Sequence, residues 1–267
     1  MSLERAAQLV SEGDVVAFTG AGISAESGIP TFRDPGGLWD RYDVTRFGTL
    51  EGIAREAMEH PDQVADYLAE MRAAFASARP NPGHLALAEL ERLGLLVGVI
   101  TQNIDGLHRD AGNTTVIEVH GSNRRRRCLS CGATEDVTRE EYLEAMGRTI
   151  RSLRTAFVPS YLSLLPKCRV CGGPARPDVV AFGEPVRDFG SAERKAERAR
   201  TLLVVGTTAE VYPAAGLLDH ARGSGAVIVE VAHGPTAVHP DVRLEGPAGR
   251  ILPELAGLVA ATRERSG

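Results

Sequence analysis

Asp14-Val-Val-Ala-Phe-Thr-Gly-Ala-Gly22 is a short apolar run of strand length that leads straight into a glycine turn. A strand closing on a Gly-rich turn, with a helix start behind it, is the opening of a nucleotide-binding α/β fold. Upstream, residues 2–11 alternate apolar and polar at helical spacing, which predicts a first helix. Downstream, four more apolar runs share the character of the first. Leu95-Leu-Val-Gly-Val-Ile100 ends in Thr101-Gln-Asn-Ile-Asp105, and Val116-Ile-Glu-Val119 ends in His120-Gly121. Thr201-Leu-Leu-Val-Val205 ends in Gly206-Thr-Thr208, and Ala226-Val-Ile-Val-Glu-Val231 ends near Ala232-His233. Runs apolar on both faces suit a covered parallel sheet. In such sheets ligands bind beyond the carboxyl ends of the strands, where each of these five runs carries its polar or glycine-bearing motif.

Between these runs the chain changes character. Residues 30–60 are rich in Pro, Gly and charge and read as a long loop with short helices, a segment suited to a lid or cofactor loop. Residues 61–78 and 82–93 read as amphipathic helices broken by Arg79-Pro-Asn-Pro82. Residues 124–178 interrupt the α/β pattern. They open on Arg124 to Arg127 and hold all four cysteines, Cys128, Cys131, Cys168 and Cys171. The fold expected is α/β: a Rossmann-like parallel-sheet domain with a small module inserted, a zinc-ribbon domain by the family resemblance given below. The sheet domain is expected to comprise 1–34, 80–123 and 179–267. The zinc module is expected at 124–178, with 35–79 supplying a cofactor loop and further helices of the small domain.

Composition narrows the function classes. The 267 residues are 43% hydrophobic and 24% charged, as in ordinary globular proteins. A net charge of −5 argues against a general nucleic-acid or anionic-membrane surface. No run reaches the roughly 18 apolar residues of a membrane span. The N-terminus is charged and lacks the apolar core of a secretion signal, so a cytoplasmic protein is expected. Two disulfides are improbable there. Two C-x-x-C pairs separated by 36 residues read instead as a tetrahedral zinc site. Four protein ligands leave no position for substrate, so the role expected is structural. A nucleic-acid-binding ribbon is the rival reading, with the four arginines in its favour.

Taken singly, the other motifs are weak. Gly20-Ala-Gly22 allows backbone amides to approach a pyrophosphate, or is merely a tight turn. Gln102-Asn-Ile-Asp105 offers side chains to a ribose or an amide, or is turn chemistry. His120, at a strand end beside Gly121, is a general base suited to neutral pH or a structural histidine. Val179-Val-Ala-Phe-Gly-Glu184 is an edge able to pair with an extended peptide, or a core strand.

Together and in order, these segments resemble the sirtuin family. The matches are Gly20-Ala-Gly-Ile-Ser24, Gly28-Ile-Pro-Thr-Phe-Arg33, Pro80-Asn-Pro-Gly-His84 and Thr101-Gln-Asn-Ile-Asp105. They continue through His120-Gly121, the cysteine pairs, Val179 to Glu184, Gly206-Thr207 with Val211-Tyr-Pro-Ala-Ala215, and Gly249-Arg-Ile-Leu-Pro253. The resemblance implies an enzyme that consumes NAD as co-substrate, carries one structural Zn2+ and removes acyl groups from protein lysines in a cleft between its two domains. It implies that His120 acts as general base, and that Asn103 and Asp105 hold the nicotinamide ribose and carboxamide. It places Ala21, Gly22, Phe32 and Arg33 around the phosphates and reacting ribose, and Gly206, Thr207 and Thr208 on the phosphate or adenosine side. Gly20, Ser24, Gln102 and Ile104 complete the cofactor contacts. Val180, Phe182 and Gly183 would meet the acyl-lysine peptide. ADP-ribosyl transfer or NAD hydrolysis at the same site, and a non-catalytic NAD-sensing zinc module, are the competing readings.

Three departures from the family pattern stand out. Ala232 takes the place of an Asn that contacts the adenosine ribose, Thr208 replaces a Ser, and Ala181 replaces an aromatic. Relatives that prefer acidic acyl groups carry a Tyr and an Arg three residues apart before the Pro80 motif. Leu68 and Met71 take those places here, with Tyr67 and Arg72 one residue outside the register. Acetyl or longer fatty acyl groups are expected over succinyl. Residues 139–165 have no assignment from sequence.

Overall fold

The computed structural model describes residues 2–32, 35–155 and 160–264. Among the described residues the strands are β1 (Val15–Thr19), β2 (Leu96–Thr101), β3 (Val116–Glu118), β4 (Gly121–Cys128), β5 (Thr134–Asp136), β6 (Ala175–Val179), β7 (Thr201–Val205), β8 (Val227–Ala232) and β9 (Val242–Glu245). The chain divides into two compact units, Met1–Ile29 with Arg79–Val119 and Val186–Gly267, and Pro30–Ala78 with His120–Pro185.

The first unit is built on a six-stranded sheet in the order β3-β2-β1-β7-β8-β9, parallel throughout. Alternate side chains of each strand go to opposite faces. Val15, Ala17, Leu203, Val205, Val229 and Val231 pack with the helices Ser2–Ser11, Pro82–Arg92 and Ala248–Glu264. Val16, Phe18, Leu202, Val204 and Ile228 pack with Phe189–Glu197 and Leu217–Gly223. The chain runs from β1 toward β3 on one side and restarts beside β1 with β7. The order thus reverses between β1 and β7, the place where such sheets open a ligand crevice. All five runs read as strands lie in this sheet. The sixth, Val242-Arg-Leu-Glu245, is an edge strand whose alternating polarity hid it.

The second unit carries a three-stranded antiparallel sheet, β5-β4-β6, beside a helical cluster. Residues 139–165, unassigned from sequence, contain the helix Arg139–Thr155 and a short turn at Tyr161–Leu164. That helix lies along Pro61–Ser77. Arg72 Nε donates to the Leu143 carbonyl at 2.8 Å, Arg139 Nη2 donates to the Ala78 carbonyl at 2.6 Å, and Arg154 pairs with Asp66 at 2.6 Å. Phe47, Ala57, Val64, Ala65 and Leu153 form the small core. The boundaries fall differently from expectation: residues 30–34, 120–123 and 179–185 go with the cysteine-bearing unit, and Arg79 with the first. Gly121 pairs with Val179 and Ser122 with Asp178, which ties 120–123 and 179–185 to β4 and β6.

The run Arg124 to Arg127 lies along β4, and its charges are used internally. Arg125 and Arg127 converge on Asp178, fully buried, at 2.7 and 2.8 Å, and Arg126 meets Glu135 at 2.8 Å. Burial alone would raise the Asp178 carboxyl. The hydrogen bonds from Arg127 and Arg125 outweigh it and bring the group down to about 2. Among the described residues, no helix is long and apolar enough to cross a membrane.

Candidate functional site

In the first unit, the loops after β1 and β7 cross with almost no space between their backbones. Gly22 N donates to the Gly206 carbonyl at 2.8 Å, and Gly20 N to the Val205 carbonyl at 3.0 Å. A Cβ on Gly22 would lie 2.7 Å from Gly206 Cα, and one on Gly20 would lie 2.7 Å from Thr207 Cβ. Gly206 has φ +60°, and a Cβ there would sit 2.4 Å from Ile23 N. Any side chain at these positions breaks the crossing. The helix that follows, Ala21–Ser24, is a single turn whose Gly22 and Ile23 N–H groups are bonded to the Gly206 and Gly20 carbonyls, so what the crossing offers a ligand is close approach to side-chain-free backbone.

Behind the crossing is a buried polar network. Ser24 Oγ donates to Asp105 Oδ2 at 2.8 Å and accepts from Asn103 Nδ2 at 3.1 Å. Asn103 Nδ2 also donates to the Gly20 carbonyl at 3.0 Å, and Asp105 Oδ1 accepts from Leu107 N at 2.9 Å. His84 Nε2 stands 3.4 Å from Ser24 Oγ, while His84 Nδ1 accepts from Asn81 N at 3.4 Å. A neutral imidazole that accepts at Nδ1 carries its proton on Nε2, so His84 donates to Ser24. The serine hydroxyl is then saturated, with one bond donated and two accepted. A parallel chain lies deeper: His108 Nε2 meets Thr19 Oγ1 at 2.9 Å, Thr19 donates to Thr101 Oγ1 at 2.8 Å, and Thr101 Oγ1 accepts from Asn103 N at 3.1 Å. Burial lowers His84 to about 4. Burial, reinforced by His84 5.0 Å away ring to ring, lowers His108 to about 3. Both are neutral near pH 7; His84 reaches the Asn103–Asp105 network through Ser24, and His108 through Thr19 and Thr101. Sequence reasoning noted His84 only as part of a motif and missed His108. The legible signal was the capping box Asn81–His84 at the start of Pro82–Arg92.

The remaining cofactor candidates of this unit extend the same edge. Gln102 Nε2 donates to Thr207 Oγ1 at 2.9 Å, Ile104 is half-buried, and the Thr208 carbonyl accepts from Ala237 N at 2.9 Å. Ala232 ends β8, buried, with its carbonyl accepting from Gly246 N at 2.9 Å. Its neighbour Glu230 is fully buried and held by Arg243 Nη1 at 2.6 Å and by Thr236. Arg33 lies outside the described residues.

In the second unit, the His120 carbonyl accepts from Val180 N at 2.8 Å, and its side chain is half-buried. The strand expected over Val179–Glu184 stops at Val179. Gly183 takes φ +89°, and the turn is closed by Glu184, which accepts from Ala181 N at 2.9 Å and pairs with Arg176. Phe182 N donates to the Gly48 carbonyl at 2.9 Å. Phe32 and Phe182, assigned separately to cofactor and peptide, are joined through Trp39, with ring centroids 5.5 and 6.2 Å from it. Trp39 was missed. Leu68 packs against the small core and Met71 is half-buried. Tyr67 packs edge-on to Tyr42 and tilted against Phe47, with ring centroids 5.0 and 5.2 Å away.

The four cysteines come together at the end of this unit's sheet. Their Sγ atoms lie within 4.8 Å of one another, with Cys128–Cys171 at 3.5 Å and Cys131–Cys168 at 3.8 Å. Four thiolates about 2.3 Å from a tetrahedral zinc stand about 3.8 Å apart, so the quartet fits Zn2+. Backbone N–H groups of Ser130 and Val170 point at Cys128 and Cys168 Sγ, both at 3.3 Å, as thiolates require.

Residues 20–213 match the model of the Sir2 family. The chain is 45% identical over 251 residues to the NAD-dependent protein deacylase 2 of Pyrobaculum aerophilum, covering 92% of this chain and 91% of the relative. It is 39% identical over 265 residues to the NAD-dependent protein deacylase of Desulfosudis oleivorans, covering 98% and 97%. Among solved structures, a Sir2 homolog–NAD complex superposes with a TM-score of 0.78 at 37% identity, over 97% of this chain and 94% of that one. Sir2Af2 bound to a myristoylated histone peptide superposes at 0.72 and 33% identity, over 99% and 98%. With its glycine crossing, its Asn103–Asp105 network and its cysteine quartet in the family's order, the chain belongs to the Sir2 family.

Proposed function

We propose that this protein removes acyl groups from protein lysines in a reaction that consumes NAD and releases nicotinamide and O-acyl-ADP-ribose. The observation that carries this reading is the saturated Ser24 hydroxyl, which locks Asn103 and Asp105 together beside the Gly20–Gly22–Gly206 crossing. The side-chain-free crossing lets a pyrophosphate lie close to the backbone, and a fixed carboxamide and carboxylate suit a ribose and an amide. The relatives named NAD-dependent protein deacylases, and the solved relatives bound to NAD and to an acylated histone peptide, support the same reading.

The first unit serves as the NAD-binding unit and the second as the zinc-bearing unit. We assign the phosphates and reacting ribose to Gly20, Ala21, Gly22, Phe32 and Arg33, as the family resemblance implies, with Ser24, Gln102 and Ile104 as further cofactor residues. Gly206, Thr207 and Thr208 take the adenosine side, where Ala232 forgoes a side-chain hydrogen bond to the ribose. Asn103 and Asp105 hold the nicotinamide ribose and carboxamide. His120 accepts the proton of a ribose hydroxyl, which frees that oxygen to take over the acyl group. Val180, Phe182 and Gly183 meet the peptide, and Leu68 and Met71 the acyl chain. Tyr67 is committed to its aromatic cluster and Arg72 to the Leu143 carbonyl, which leaves the acyl site without the pair that would read a succinyl carboxylate. Thiols gathered for zinc fit a reducing compartment, and we place the reaction in the cytoplasm.

Incubation with NAD and acetyl-, myristoyl- and succinyl-lysine peptides, followed by mass spectrometry, tests the proposal. Deacylation that requires NAD, with succinyl the slowest, is expected. NAD loss without acyl removal would replace it with hydrolysis or ADP-ribosylation.

A further inference from the structure

Outside this site, on the first unit, the helices Phe189–Glu197 and Leu217–Gly223 bring three metal-ligating side chains together. Glu193 and Glu197 are four residues apart on one helix and therefore share a face. His220, from the second helix, faces both. The two helices are fixed there by Ala192, Ala196, Leu217 and Ala221, all fully buried. Arg194 and Lys195 turn elsewhere, to Ser191 and to the Val97 carbonyl. Among the described residues, no lysine or arginine lies within ion-pair distance of either glutamate.

The distances do not describe a hydrogen-bonded pair. A charge-assisted N–H···O⁻ bond is about 2.7–2.9 Å long. His220 Nδ1 stands 3.3 Å from Glu193 Oε1 and 3.5 Å from Glu197 Oε1, within ion-pair distance of both when the ring is protonated but longer than a charge-assisted hydrogen bond. Donors about 2.0–2.2 Å from a tetrahedral divalent ion are separated by about 3.3–3.6 Å. Both His220 contacts fall in that range, and all three ligand atoms lie within 4.8 Å of one another. The spacing is the carboxylate–imidazole counterpart of that in the cysteine quartet. Each of the three side chains keeps between 34% and 42% of its surface exposed, which gives an ion a path from solvent.

We propose that Glu193, Glu197 and His220 form a second metal site, for Zn2+ or another first-row divalent ion, with water at the fourth position. Two carboxylates and one imidazole are hard-to-borderline donors suited to such ions. The exposure and the small donor set make it an exchangeable site, unlike the four-thiolate one.

The test is calorimetric titration of Zn2+ into protein that already holds one zinc per chain, as measured by atomic emission. One additional site per chain is expected. Affinity for it should fall about tenfold or more in Glu193→Gln/Glu197→Gln and in His220→Asn. All variants should keep the first zinc, and excess zinc should raise the melting temperature of the unsubstituted protein alone. Uptake of no zinc beyond the first, or variants that bind the second ion as well as the parent, would overturn the proposal.

Discussion

Ser24 Oγ donates to Asp105 Oδ2 across 2.8 Å, joining the turn after β1 to the turn after β2 although the residues are 81 positions apart. The bond sits in a buried setting, where Asp105 is 7% exposed and Ser24 fully buried. Loss of the hydroxyl leaves a buried carboxylate one donor short. Ser24→Ala is therefore expected to lower stability by about 1–3 kcal/mol, measured by urea denaturation, and to raise the KM for NAD. Unchanged stability and KM would mean that the network is ornamental.

The two buried histidines give the first unit a pH dependence. Their folded-state values, about 4 and about 3, lie below the roughly 6.5 of an unfolded histidine. The unfolded chain therefore binds more protons below that value, and stability is lost as pH falls. The window runs from about pH 6.5 to about pH 4 for His84 and to about pH 3 for His108, with a slope of at most about 1.4 kcal/mol per pH unit for each histidine. Asp178 acts lower: its depressed value adds stability that is lost from about pH 4 toward about pH 2. Urea midpoints between pH 7.5 and 4.5 should fall steadily, and His84→Asn should flatten the slope.

The cysteine quartet makes zinc part of folding for the second unit. Structural zinc contributes about 10–16 kcal/mol in isolated finger peptides at pH 7, comparable to a whole domain's stability. A strong chelator, or Cys128→Ser, should open the knuckles around Leu129 and Val170 to limited proteolysis. The first unit's sheet, which holds no thiolate, should retain its protection in hydrogen exchange.

Much of this was legible before any coordinates. Runs such as Leu202–Val205 are apolar at every position, as strands of a covered parallel sheet are, so the order of motifs along the sheet edge followed. β9 escaped because an edge strand needs apolar residues on one face alone, and Val242-Arg-Leu-Glu245 has two. The helix Arg139–Thr155 escaped because its partner, Pro61–Ser77, lies more than sixty residues away in sequence. His108 and Trp39 escaped for a related reason. Neither residue type marks a role by itself, and their partners, Thr19 for one and Phe32 with Phe182 for the other, are set by tertiary structure. The basic run Arg124 to Arg127 lent support only to the rival reading, a nucleic-acid ribbon, against which the net charge already argued. It resembles a nucleic-acid patch until Asp178 and Glu135 are seen opposite it.

The central claim is most directly tested by comparing the protein with its His120→Ala variant on an acetyl-lysine peptide, with nicotinamide, free lysine and O-acetyl-ADP-ribose quantified together. The parent should form the three products in equal amounts. The variant's turnover should fall by about 100- to 10,000-fold while zinc content and fold are retained. Equal deacylation by both proteins, or NAD consumption that leaves the acetyl group on the lysine, would contradict the account.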